Sequence, residues 1–221
     1  MLNLNFPLLD GSIRFSSSTF LVVEDITMFA HLIKLFYSYP EKDELKLFDQ
    51  KQNEIKSSEL LLITDILDYD LNSASVIKLI YADLSGQINE KPEVKTEIEK
   101  SIAAISELIE VELLEHELDL EQKEITLTEL FKMSGVKIET KSDTIFEKTL
   151  EIIQVYKYLG KKKLLVFCNI CSYLTQPELK ELSEYISLNG VTVLFIEPRK
   201  VYNFPQFILD EDYFLNLENM V

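Results

Sequence analysis

Glycine, proline, histidine and cysteine are all scarce in this chain, which has 5 Gly, 6 Pro, 2 His and 2 Cys among 221 residues. So few glycines and prolines leave little room for long flexible linkers. Two cysteines cannot build a disulfide framework, and without an export signal they point to a reducing compartment. The opening "MLNLNFPLLDGSIRF" has neither the basic start nor the small-residue cleavage site of a signal peptide. No apolar run reaches the roughly 18 residues needed to span a bilayer, so a cytoplasmic protein with no membrane partner is expected.

Positive charge is also in deficit. The chain has 22 basic and 38 acidic side chains, a net charge of −16, yet the excess is concentrated. Residues 1–56 balance at −2, residues 57–131 at −13 and residues 132–221 at −1. Within the last part, residues 132–163 carry 8 lysines against 4 acids. One region repels phosphate and another can attract it.

At 47% hydrophobic, the chain can bury a core as one large domain or two small ones. "STFLVVE" (18–24) reads as a buried strand, followed at once by a helix over 25–39 with Asp25 as N-cap. "ELKLFDQ" (44–50) suits a short strand. A second helix spans 143–160 and ends at Gly160; "KKLLVFCNI" (162–170) is then a strand. Thr175 and Glu178 fit a capping box opening a helix that Gly190 stops, and "VTVLFIEP" (191–198) is the next strand. Strand, helix, strand with short connections means parallel pairing, so the fold class is α/β. The middle differs: a helical pattern over 73–84 precedes one beginning at Pro92 and running to about Glu115, roughly 35 Å long. The expected organisation is a discontinuous α/β head, 1–56 with 132–221, and an inserted extended helical leg, 57–131.

The strand–helix junction "LVVEDITMF" is where a phosphate-binding loop belongs, but it has Glu24 and Asp25 and neither glycine nor lysine. "CNIC" has redox or zinc spacing, yet His31 and His116 lie far away and Cys168 falls inside a strand. Buried structural cysteines are the favoured reading. His31 falls off the apolar stripe of its helix and is expected to be partly exposed.

"ELLEHELDLEQKE" (112–124) crowds six carboxylates around Leu113, Leu114, Leu118 and Leu120. Extended, Glu117, Asp119 and Glu121 share a face; helical, Glu117, Glu121 and Glu124 align. A solvated face and a site for a hard cation such as Ca²⁺ both remain open. On the basic side, Lys132, Lys137 and Lys141 with Lys46, Lys51 and Lys56 form a phosphate-contacting patch if the fold gathers them. Spread over a monomer, they are solubilising lysines.

Several stretches together resemble one family: "MLNLNFPLLD", "SSELLLITDILDYDLNSASVIKLIYADL", "NEKPEVK", "VKIETKSDTIFEKTLEIIQVYKYLGKKKLLVF" and "TVLFIEPRKVYNFPQFILDEDYFL". It is the small accessory adaptation protein of type II-A CRISPR systems that forms DNA-end-binding rings. The resemblance covers essentially the full length. It implies a degenerate RecA-like, P-loop-type head without NTPase activity, and a helical leg. It further implies a homotetrameric ring that binds calcium near the leg and threads double-stranded DNA ends through a lysine-lined hole. The role implied is spacer acquisition, alongside the integrase pair and the effector nuclease. Carried over, Glu117, Asp119, Glu121, Glu124 and Glu129 become calcium ligands, and the six lysines above become phosphate contacts. The competing class is an enzyme, either a divergent NTPase or a thiol oxidoreductase using Cys168 and Cys171. The junction without glycine or lysine opposes the first, and the strand-embedded cysteine opposes the second.

Overall fold

Two five-residue strands anchor the architecture: β6 (Leu164–Cys168) and β7 (Val193–Glu197), in which every side chain is buried. Strands buried on both faces belong to a parallel sheet covered on both sides, and the computed structural model places them side by side in one. It describes all residues except Leu8, Asp10, Lys42, Asp43, Lys161, Tyr202, Met220 and Val221.

The sheet has the order β5-β6-β7-β3-β8-β9, where β3 is Ser18–Val23, β5 Leu60–Ile63, β8 Gln206–Leu209 and β9 Leu215–Glu218. All its pairings are parallel except that of β8 with the edge strand β9. A second, antiparallel sheet has the order β2-β1-β4, from β1 (Leu2–Asn5), β2 (Ile13–Phe15) and β4 (Lys46–Asp49). Its Leu2, Leu4, Ile13 and Leu47 join one core with Leu32, Leu35 and Phe36 of helix α1 (Ile26–Tyr37). Leu21, Val166, Leu194 and Ile196 from one face of the large sheet complete that core. The alternate residues Phe20, Phe195 and Phe167 stack on the other face, with ring centroids 4.9 and 5.7 Å apart. The buried stripes of α5 (Ile145–Leu159) and α6 (Gln176–Leu188) lie outside the first cluster, and α6 packs against β3 and α5. Helices on both faces of a mostly parallel sheet make this an α/β unit, the fold class expected.

The termini of these helices form as their sequences dictate. Asp25 accepts from the Met28 N–H at 2.7 Å, Thr144 and Glu147 close a capping box, and Gly160 ends α5 with φ +58°. Only a residue without a Cβ adopts that left-handed cap at little cost.

The chain divides into two units, residues 1–69 with 140–221, and residues 70–139. The boundaries therefore differ from the expected 57–131. Residues 60–63 form β5, hydrogen-bonded to β6, so they belong to the sheet. A short apolar run such as "LLLI" reads equally as strand or buried helix by periodicity alone. At the other end, the Ile138 N–H donates to Asn72 Oδ1 at 2.8 Å, and Asn72 Nδ2 to the Ile138 carbonyl at 3.1 Å. That pair closes the second unit near residue 138.

The helical unit holds α2 (Ala74–Asn89), α3 (Pro92–Leu114) and α4 (Leu127–Met133). The two-residue link between α2 and α3 makes them antiparallel neighbours. Its small core contains Leu71, Tyr81 and Phe131, the two rings 5.6 Å apart, and Tyr81 Oη donates to the Val136 carbonyl at 3.0 Å. No residue of α3 is buried.

Candidate cation and nucleic-acid sites

The β3–α1 junction is occupied by its own side chains. The Asp25 carboxylate caps the first turn of α1, and the Glu24 N–H donates to the Leu209 carbonyl at 3.0 Å. An amide that an anion would need at this helix N-terminus already has a carboxylate partner.

The acidic segment forms neither of the two regular conformations considered for it. α3 stops at Leu114 with no basic residue in its last turn, where the negative end of the helix dipole disfavours further carboxylates. Residues 115–126 are irregular, and Glu117, Asp119, Glu121 and Glu124 are exposed along them. The segment borders a groove of about 860 Å³ against α3 that contains Asp119 and Glu124 beside Glu99 and Glu110, with Ile102, Leu113 and Leu118 as apolar wall. Leu118 and Leu120 line this groove while remaining exposed. Glu117 and Glu121 do not line the groove.

Glu129 has a different task. Its carboxylate accepts from the Thr126 N–H at 2.8 Å and the Thr126 hydroxyl at 3.0 Å, capping α4. Those bonds, with Lys132 and Lys123 nearby, hold it below the usual carboxylate range. Glu124 and Glu129 share a depression of about 320 Å³ with Lys123 and Lys132. Part of the local repulsion is therefore offset by lysines. The donors are hard oxygens of the type calcium takes, but among the described residues no three of these side chains converge to hold a metal ion. A single chain offers the chemistry without gathering the geometry.

All six candidate phosphate-contacting lysines are exposed. Lys46, Lys51, Lys56 and Lys141 belong to the α/β unit, and Lys132 and Lys137 to the helical unit. Lys46 lies on β4, and the Lys141 N–H donates to Glu151 at 2.9 Å. Lys51 is brought beside Lys157, Lys162 and Lys163 around a depression of about 660 Å³. Those three partners were not singled out from the sequence, although the run at 161–163 was a visible signal.

Cys168 sits as the strand pattern requires, whereas Cys171 begins the short turn after it and is half-buried rather than buried. Cys168 ends β6 and is buried, its thiol pushed up to about 12 by burial and by the Glu197 carboxyl. Cys171 is also raised well above an ordinary thiol by burial, then by Glu197, which accepts its N–H at 3.0 Å. Glu197, 2% exposed, is itself pushed up by burial. His31 is half-buried and lies 3.3 Å from Glu44.

An α/β unit with a self-capped β3–α1 junction, interrupted in sequence by a helical unit, defines an α/β class of protein whose first strand–helix junction has neither glycine nor lysine. The model of the family described as CRISPR-associated protein (Cas_Csn2) matches residues 38–213. A CRISPR-associated protein Csn2 from Streptococcus agalactiae is 57% identical over 221 residues, covering 100% of both chains. Another Csn2, from Enterococcus faecalis, is 56% identical over 217 residues, 98% of this chain and 99% of its own. Among solved structures, an ATP-binding cassette of an ABC transporter in its ADP conformation is similar at TM-score 0.48 and 13% identity, over 97% of this chain and 89% of that one. The chain belongs to the CRISPR-associated Csn2 family.

Proposed function

We propose that this protein is a non-catalytic, sequence-independent binder of double-stranded DNA ends, acting in CRISPR spacer acquisition. It works as a calcium-dependent homotetrameric ring in the cytoplasm, with the integrase pair and the effector nuclease as partners. The observation that carries this reading is the partition of charge. Residues 57–131 hold −13 of the net −16, leaving the rest near neutral and residues 132–163 locally cationic. A polyanion is tolerated where the acids are segregated from the contact surface.

Two further features support it. α3 leaves Ile105, Leu108, Ile109, Val111 and Leu114 exposed, an apolar surface that another copy of the chain would cover. Nucleotide turnover is disfavoured by Asp25 occupying the α1 N-terminus. Calcium rests on the resemblance and on the donor type; its ligand set has to be completed by carboxylates that one chain does not bring together.

The test is the topology and salt dependence of DNA binding. Phosphate contacts carry no sequence information, so affinity should fall steeply with salt and be indifferent to sequence. A closed ring admits duplex only through an end. Linear DNA should bind and covalently closed circles of the same length should not; equal affinity for both removes the threading mechanism. For calcium, Asp119→Asn with Glu121→Gln should weaken binding measured by calorimetry, and unchanged binding moves the ions elsewhere.

A further inference from the structure

The α/β unit carries a cationic depression at the end of the sheet opposite the β3–α1 junction. It lies where β6 and β7 begin: Lys162 and Lys163 lead into one strand, and Val191 and Thr192 into the other. Lys51 reaches it from the turn after β4, and Lys157 from the last turn of α5. Four lysines thus line a cavity of about 660 Å³ in which Asp49 is the one acidic lining residue among the described residues.

The opposing charges are smaller. Asp49 is held by the N–H groups of Lys51 at 2.8 Å and Asn53 at 2.9 Å, and by Asn53 Nδ2 at 3.1 Å. The C-termini of α5 and α6 border the cavity through Gly160 and Gly190, each contributing about half a negative charge. Together with Glu59, which pairs with Lys163, these oppose about three of the four lysine charges, so the site stays cationic by a smaller margin. Lys157 Nζ donates to Asn189 Oδ1 at 2.6 Å, Lys162 Nζ to the Leu60 carbonyl at 3.0 Å, and Lys163 Nζ pairs with Glu59 at 2.9 Å. An ammonium group has three donors, so these bonds orient the lysines without exhausting them.

Tyr156 also lines the cavity. It is 7% exposed, and its hydroxyl is buried with no hydrogen-bond partner. Burial pushes the phenol well above its ordinary value, so it remains a donor at neutral pH. An unpaired buried donor is stabilised by an oxygen-rich acceptor.

We propose that this cavity binds a phosphomonoester dianion. A tetrahedral group near −2 charge, with several acceptor oxygens, matches separated ammonium donors better than a planar carboxylate of charge −1. The same chemistry is carried by inorganic phosphate, by a mononucleotide and by the 5′-phosphate of a DNA strand. The site does not depend on the DNA reading above.

The experiment titrates three probes into the full chain by calorimetry: inorganic phosphate, a short duplex with 5′-phosphates, and the same duplex with 5′-hydroxyls. Phosphate should bind the wild type and weaken about tenfold in the double variant Lys51→Gln/Lys157→Gln. Lys180→Gln, on the exposed side of α6, should leave it unchanged. Tyr156→Phe is a second variant with a smaller expected loss, and thermal melts show that each variant is folded. A preference for the phosphorylated duplex that vanishes in the double variant assigns the site to DNA ends. Phosphate binding without that preference assigns it to a free phosphate or mononucleotide. Absent phosphate binding, or equal binding in the double variant, overturns the proposal; long linear DNA still binding in that case leaves the DNA reading standing.

Discussion

The two units of this chain bury their apolar residues to different degrees. In the α/β unit, β6 and β7 have no exposed side chain, and Phe195 is 0% exposed between Phe20 and Phe167. In the helical unit, the longest helix buries nothing, and Leu108 and Leu114 are 71% and 82% exposed. A helix of 23 residues owes little stability to propensity alone and needs a packed face. The contrast is one of degree: the α/β unit has a fully buried sheet core although Tyr37 and Leu188 stay exposed, whereas the longest helix of the other unit has no buried residue and leaves an apolar surface open.

The sharpest test of that contrast is a pair of truncations. Phe195→Ala should cost about 3–5 kcal/mol in denaturant unfolding, because it empties the stacked face of the sheet. Leu108→Ala should change the stability of the dilute monomer by less than about 0.5 kcal/mol while weakening self-association measured by light scattering. A Leu108→Ala chain destabilised as strongly as Phe195→Ala would break the comparison.

Within the helical unit, the Tyr81 hydroxyl ties α2 to the stretch after α4. Tyr81→Phe removes its bond to the Val136 carbonyl at 3.0 Å, and should cost about 1.5 kcal/mol. Hydrogen exchange should show the loss confined to residues 70–139. A loss spread over both units would mean that they unfold together.

Much of the α/β unit was legible because several local signals agreed. Thr175 and Glu178 opened α6, Gly160 ended α5, and the short apolar runs around them, bounded by these signals, read as strands. The small antiparallel sheet was not: "LNLN" and "IRF" are too short to show a period, and β1 gains its identity by pairing with β4 across more than forty residues. β5 falls within the expected leg for the related reason that four apolar residues carry no periodicity. At the candidate site, exposure of the lysines and carboxylates followed from composition. That Glu129 caps α4 is readable in "TLTE", a capping box set beside a strongly acidic stretch. The meeting of Lys51 with Lys157, Lys162 and Lys163 was not readable, since it needs the α5 terminus, the start of β6 and the β4 turn to converge.

The same capping box occurs in both units and allows a matched comparison. Thr144→Ala in the α/β unit and Thr126→Ala in the helical unit should each cost about 1 kcal/mol. Both box carboxylates, Glu147 and Glu129, are held below the ordinary range by the backbone N–H groups they accept. A depressed carboxyl contributes stability above its unfolded value and loses it as pH falls through the folded one. Alanine keeps the backbone N–H donors, so only the part of each cost carried by the threonine hydroxyl's bond to the carboxylate should shrink in acid. If the Thr126→Ala cost is not detected while Thr144→Ala behaves as expected, α4 unfolds separately from the measured transition.

The smallest expected effect is a null one, and it separates a structural thiol pair from a reactive one. A thiolate is the nucleophile, so reactivity follows the ionised fraction and access. With Cys168 pushed up to about 12, only about one molecule in ten thousand carries its thiolate at pH 8. Cys171 is half-buried, but burial and the adjacent Glu197 carboxyl raise its thiol too, the reverse of the electropositive setting that activates a cysteine. Iodoacetamide at pH 8 should therefore leave the native chain unlabelled by mass spectrometry on a timescale that fully modifies both cysteines in guanidinium. Glu197→Gln should remove the carboxylate's opposition and modestly speed labelling at Cys171, the closer of the two to solvent. Rapid native labelling of Cys171 would mean that the half-buried thiol is poised for chemistry and return the thiol oxidoreductase reading to contention.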